Sequence, residues 1–192
     1  MDKASDVLKS IEKIAEKRFI PSIGPVKGKI LAEIIKKHKL NHIFEIGSLY
    51  GYSAILMAKE DKNAHITTIE IDKQNATITQ ENIEKAGLSN RIKVVQGDAV
   101  KIIPEISDSF DLLFLDAAKD QYLKYLQSAE KNLKKGSVIV ADNVGIFEKE
   151  LKTYLMYVRE SGKYQSETIK VLLEYHDDVY DAMEVSVKLH KD

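Results

Sequence analysis

His42-Ile43-Phe44-Glu45-Ile46-Gly47-Ser48-Leu49-Tyr50-Gly51-Tyr52-Ser53 carries a short apolar run directly into two closely spaced glycines, and a helical pattern follows. A strand that empties into a glycine turn and then a helix is the repeating unit of a sheet built by strand–helix alternation. Outward from this stretch the same unit recurs. Further strands are expected at 65–71, 92–96, 110–116 and 137–142, and helices at about 26–38, 52–59, 73–86, 119–133 and 146–160. The expected architecture is α/β, a mostly parallel sheet with helices on both faces. The rhythm breaks at the end, where 168–175 and 182–190 follow one another with no helix between them. That pair predicts an antiparallel hairpin, closing the sheet with one antiparallel strand. In the second run Met183, Val185, Val187 and Leu189 alternate with Glu184, Ser186 and Lys188, the period of a strand with one packed face.

With 192 residues, 44% hydrophobic and 31% charged, and no linker-like tract or internal repeat, the chain reads as one domain over 1–192. Residues 1–19 form an N-terminal helical extension in which Val7, Leu8, Ile11, Ile14 and Ala15 share a face, a packing or dimer-contact element. A homodimer is expected. No stretch has the length of a membrane span and no signal peptide is evident, so the expected location is cytoplasmic, with no membrane partner. The absence of cysteine excludes disulfides and thiolate chemistry and leaves any metal to oxygen or imidazole. A net charge of −1 provides no global basic field, which argues against nucleic acid as the default partner. The lysines of 27–39 read as the solvated outer face of a helix whose inner face carries Ile30, Leu31, Ile34 and Ile35.

The glycine turn marks a ligand site, because glycines let backbone approach a ligand and the next helix offers unpaired N–H groups. A dinucleotide turn would read G-x-G-x-x-G, but Leu49 stands at the middle glycine and the spacing is Gly47 then Gly51. Pyrophosphate is therefore disfavoured. The second strand ends near Glu70, whose carboxylate can accept from both hydroxyls of a ribose; this feature alone suits an adenosylmethionine enzyme or a nicotinamide dehydrogenase. After the third strand comes Gln96-Gly97-Asp98-Ala99, where Asp98 can meet an adenine amine or cap the next helix.

Asp116 ends the fourth strand, and Asp142-Asn143 end the fifth. Ligands of an open α/β sheet gather beyond the carboxyl ends of its strands, so two carboxylates and an amide should meet in one cleft. Such hard oxygens suit magnesium, or calcium or manganese in its place. Each motif taken singly would also serve as a helix cap or turn. Lys119, three residues beyond Asp116 and near the start of the next helix, is a candidate base within reach of a metal-bound substrate. The histidines, His38, His42, His65, His176 and His190, show no ligand spacing.

The segments FEIGSLYGYSA, TIEID, VVQGDA, FDLLFLDAAKDQY and VIVADN stand in the order found in the cation-dependent O-methyltransferase family, which the chain resembles over about residues 20–190. That family includes catechol and caffeoyl-CoA O-methyltransferases. The resemblance implies the Rossmann-like class I methyltransferase fold with a seven-stranded sheet, S-adenosyl-L-methionine as cofactor, a magnesium-type ion, and methyl transfer to a hydroxyl of a small aromatic, catechol-like substrate. It places Glu45, Gly47 and Ser53 around the methionine end, Glu70 on the ribose, and Asp98 with Ala99 beside the adenine; Asp116 belongs to both the cofactor and metal sets. Asp116, Asp142 and Asn143 match the metal ligands, Lys119 the catalytic lysine, and Glu174 in LLEY a substrate contact. The chain departs from the family where Ala118 replaces an Asp of many members and where Tyr180-Asp181-Ala182 replaces Gly-Asp-Gly. It is also shorter than the plant enzymes, without their substrate-recognition insertion, which argues against coenzyme A esters. The alternatives are a relative that methylates hydroxyuridine in tRNA and a nicotinamide-dependent dehydrogenase.

Overall fold

The computed structural model describes residues 2–18, 20–173 and 179–190. Seven strands form its sheet: β1 (His42–Ile46), β2 (His65–Glu70), β3 (Ile92–Gln96), β4 (Phe110–Leu115), β5 (Leu133–Ala141), β6 (Tyr164–Leu172) and β7 (Tyr180–Lys188). Their order is β3-β2-β1-β4-β5-β7-β6. The pairs from β3 through to β5 are parallel, and β7 runs antiparallel to both β5 and β6. The helices are α1 (Lys3–Lys17), α2 (Gly24–His38), α3 (Tyr52–Glu60), α4 (Lys73–Ala86), α5 (Ala99–Ile102), α6 (Tyr122–Ala129) and α7 (Lys152–Glu160).

Alternation along the central strands divides the core between the two faces of the sheet. Leu112, Phe114, Val138 and Val140 join Leu31, Ile35, Ile55 and Ile83 of α2, α3 and α4. Their neighbours Leu113, Leu115 and Ile139 join Tyr122, Leu126 and Tyr154 of α6 and α7. A strand packed on both faces needs near-continuous apolar sequence, which is why FDLLFL and SVIVA carry the core with so few polar residues. Helix α1 begins on Asp2, whose carboxylate accepts from the Ser5 N–H at 2.8 Å, and buries Ala4, Leu8 and Ile11, spaced four and three residues apart. Among the described residues no helix is long and apolar enough to cross a membrane.

The chain runs outward from β1 to β3 and then returns to place β4 on the other side of β1. The reversal between β1 and β4 is the topological switch point, where ligands of such sheets bind. Here Ile46 and Leu115 are in register, and the next residues continue the ladder for one bond each: Asp116 N–H to Ile46 O at 3.0 Å and Gly47 N–H to Ile69 O at 2.9 Å. Asp142 N–H bonds Leu115 O at 3.0 Å in the same manner. The carboxyl ends of four adjacent strands are thereby locked to one edge.

Three expectations are corrected. The antiparallel strand does not close the sheet; β7 lies between β5 and the edge strand β6. Strand β6 begins at Tyr164, four residues before the predicted 168, because its polar first half is held by backbone pairing to β7 rather than by an apolar face. The helices predicted at 119–133 and 146–160 are shorter. The first is a helix of eight residues between two short 3₁₀ turns. The second starts only at Lys152; residues 144–151 run as turns, with Val144 N–H bonded to Ala182 O and the N–H groups of Gly145 and Ile146 to the Asp181 carboxylate.

Candidate active site

A cavity of about 290 Å³ opens at the switch point, walled by the glycine turn, the ends of β2 and β3, and Asp116. Gly47, Ser53, Glu70, Asp98, Ala99 and Asp116, all singled out from sequence, line it. Gly47 adopts φ +97°, and a Cβ there would lie 2.1 Å from the Asp116 carbonyl oxygen, so only glycine lets β1 and β4 converge this closely. Leu49, at the position of the absent middle glycine, takes φ 48°. Its N–H donates to Glu70 Oε2 at 2.8 Å and its carbonyl accepts from the Thr79 hydroxyl at 2.9 Å, contacts that hold this unfavoured conformation.

Glu70 is buried at 7% exposure, and its other oxygen accepts from the Asp72 N–H at 2.9 Å. Two backbone bonds thus fix the carboxylate while each oxygen keeps a lone pair for a further donor. Asp98 caps α5 through Val100 N–H at 3.0 Å and also faces the cavity, so its two sequence readings are compatible.

Glu45 is fully buried behind the cavity wall and accepts a hydrogen bond from the Ser53 hydroxyl. Burial pushes its carboxyl up to about 7, against the pull of the Ser53 and Thr68 hydroxyls. It reaches the cavity through Ser53 and does not line it.

Asp116 joins the cavity to a second group of polar residues. Lys119 Nζ donates to Asp116 Oδ1 at 3.0 Å and to the Tyr122 hydroxyl at 2.8 Å, and that hydroxyl donates to Asp142 O at 3.2 Å. The Asp142 side chain, 2% exposed, receives the Lys27 ammonium at 2.7 and 2.9 Å. Burial and then Asp116 push the Asp142 carboxyl up to about 7, with Lys27 opposing them. Burial would lower Lys27, but Asp142 and Asp181 outweigh it and hold the ammonium above its usual value. Asn143, at φ 62°, donates its amide nitrogen to Asp181 at 2.9 Å.

Among the described residues no three His, Cys, Asp or Glu side chains form a metal-holding cluster. A cation here would rest on the carboxylates of Asp116 and Asp142 and the amide oxygen of Asn143, with other oxygens completing its shell. The donors fit that use. Asp116 and Asp142 repel as like charges, with Lys27 bonded to Asp142 and Lys119 to Asp116 opposing that repulsion, and all three donors are hard oxygens. The partly buried Lys119 stands beside the same carboxylate.

Sequence reasoning missed Lys27 and Asp181. Lys27 is 5% exposed, which corrects its reading as part of a solvated helix face. It also missed Ser22, Ile23, Asn75 and Tyr125, which line the cavity from segments without a motif. Glu174 and His176 lie outside the described residues. His42 and His65 stand at the starts of β1 and β2, the end of the sheet away from the cavity.

The model of a family described as O-methyltransferase matches residues 2–171. Catechol O-methyltransferase of Niastella koreensis is 38% identical over 128 residues, covering 64% of this chain and 58% of that protein. The mouse catechol O-methyltransferase is 33% identical over 181 residues, covering 90% of this chain and 67% of that protein. The chain thus spans roughly three fifths to two thirds of the length of these curated relatives. The crystal structure of an O-methyltransferase from Bacillus cereus in complex with SAH superposes with a TM-score of 0.84 at 23% identity, covering 95% of this chain and 90% of that one. The fold expected from the motifs is the fold of these neighbours.

Proposed function

Because this chain belongs to the O-methyltransferase family, we propose that it transfers the methyl group of S-adenosylmethionine to a hydroxyl of a small aromatic, catechol-like acceptor, assisted by a divalent cation such as magnesium. The observation that carries the reading is the place of Asp116: it lines the cavity, accepts from Lys119, and is felt electrostatically by Asp142. One carboxylate is shared by a nucleoside-sized cavity and a set of hard oxygens.

In this reading Glu70 accepts from the ribose hydroxyls, Asp98 and Ala99 border the adenine, and Gly47 and Ser53 flank the amino-acid end, with Glu45 holding Ser53 from behind. Asp116, Asp142 and Asn143 hold the cation. When bound, the cation lowers the pKa of a coordinated hydroxyl and fixes its direction. Lys119 then accepts the proton of the reacting hydroxyl, within reach of Asp116 and Tyr122, which orient its Nζ. The sulfonium supplies an activated methyl group, and the chain's task is to align the acceptor oxygen with it.

The cofactor half of this reading is tested by titrating S-adenosylhomocysteine calorimetrically into the wild type and Glu70→Ala. The variant loses hydrogen bonds to a charged acceptor, each worth about 1.5–3 kcal/mol, so binding should weaken about a hundredfold or more. Equal affinity would place the nucleoside elsewhere.

A further inference from the structure

Lys27 comes from the first turns of α2, a helix that supplies no carboxyl-end loop of the sheet, yet its ammonium is buried against two carboxylates distant in sequence. An ammonium has three donors, and the three contacts here, 2.7 and 2.9 Å to the two oxygens of Asp142 and 2.8 Å to Asp181 Oδ2, use all of them. Asp181, 1% exposed, is saturated as well. It takes Lys27 and the Asn143 amide nitrogen on Oδ2, and the N–H groups of Gly145 and Ile146 on Oδ1 at 3.1 Å each. With its nitrogen committed to Asp181, the Asn143 amide keeps its oxygen for another partner. The segment that carries Asn143 is pinned equally tightly, since a Cβ on Gly145 would meet Asp181 backbone at 2.8 Å.

We propose that Lys27 is a positioning residue that, directly and through Asp181, fixes the oxygens of Asp142 and Asn143 in the arrangement that binds a divalent cation. The inference rests on the cation reading given above. Lys27 and Asp181 are buried and their polar atoms are taken up by each other, Asp142, Asn143 and backbone N–H groups, so neither is placed to touch a reactant. Fold stability is a weak explanation for the cluster, because replacing buried ion pairs by apolar residues is often neutral or stabilising. Charge alone predicts the wrong sign: a fixed cation near a divalent ion repels it, so its removal should tighten binding. An orienting role predicts that removal loosens it.

The sign of the change is therefore the test. Mn²⁺ is titrated by electron paramagnetic resonance into the wild type, Lys27→Met and the double variant Lys27→Met/Asp181→Asn, with S-adenosylhomocysteine affinity measured on each by calorimetry. The double variant removes one positive and one negative charge together, so it decides the question should the single variant fail to fold. Mn²⁺ affinity is expected to fall at least about tenfold in both, the scale of a lost partner behind a metal ligand, while cofactor-product affinity stays close to wild type. Unchanged or tighter Mn²⁺ binding by the folded double variant would overturn the positioning role. Failure of the unmutated protein to bind Mn²⁺ would instead overturn the cation reading and this inference with it, and is read without any variant.

Discussion

Gly47→Ala is expected to abolish measurable S-adenosylhomocysteine binding and to destabilise the protein by at least about 3 kcal/mol, a cost typical of core overpacking joined to a strained backbone. The added methyl would lie 2.1 Å from the carbonyl oxygen of Asp116 and 2.8 Å from its carbonyl carbon. Both are backbone atoms of the residue whose N–H makes the last bond from β4 to β1, so no rotamer change relieves the contact. The chain must separate β1 from β4 at the switch point, and that moves Asp116 and the glycine turn together. Gly162→Ala provides the control, since Gly162 also has positive φ, +73°, but nothing lies within 4 Å of its would-be Cβ. The control should cost only about 1 kcal/mol, the conformational penalty alone. Thermal denaturation of the two variants separates close approach from backbone strain: similar melting points would mean that β1 and β4 are not so tightly apposed.

Lys119→Met should leave a folded protein that binds S-adenosylhomocysteine and Mn²⁺ but turns over about 10²–10⁴-fold more slowly, the range of general-base effects. The thioether keeps the aliphatic bulk of a side chain that is only partly buried, so the melting temperature should change little. What is lost is a nitrogen held 3.0 Å from Asp116 and 2.8 Å from the Tyr122 hydroxyl. Rate–pH profiles from 6 to 9 discriminate further. If a base has been removed, the residual rate should climb with hydroxide; a near-native rate across that range would assign the proton to another group or to water.

The residues that were legible from sequence are those at strand ends. An apolar run followed by Gly47, Glu70, Asp98, Asp116 or Asp142 announces both the strand and the edge at which it stops, so the motif and its position in space come from the same signal. Lys27 was illegible for the opposite reason. A lysine on an amphipathic helix normally faces water, and only the acceptors Asp142 and Asp181, 115 and 154 residues away, make its burial tolerable. The resemblance places Glu45 around the methionine end, and the structure sets it fully buried behind Ser53, whose hydroxyl donates to it, rather than on the cavity wall. The polar start of β6 escaped notice because an edge strand held through its backbone need not alternate in hydropathy.

The central claim is that one of two adjacent hydroxyls of the acceptor takes the methyl group after giving its proton to Lys119, beside a cation that Asp116, Asp142 and Asn143 would hold. An isolated phenol, with a pKa of about 10, is poorly ionised at neutral pH, so a second adjacent oxygen that completes a chelate should matter greatly. The direct measurement is the initial rate of labelled methyl transfer from S-adenosylmethionine to catechol and to its monohydroxy analogue, each in magnesium and in EDTA. The account predicts single methylation of catechol, a rate at least about tenfold lower on the analogue, equivalent to about 1.4 kcal/mol at the transition state, and loss of activity in EDTA that magnesium restores. Equal rates on the two acceptors, or full activity in the chelator, would contradict it.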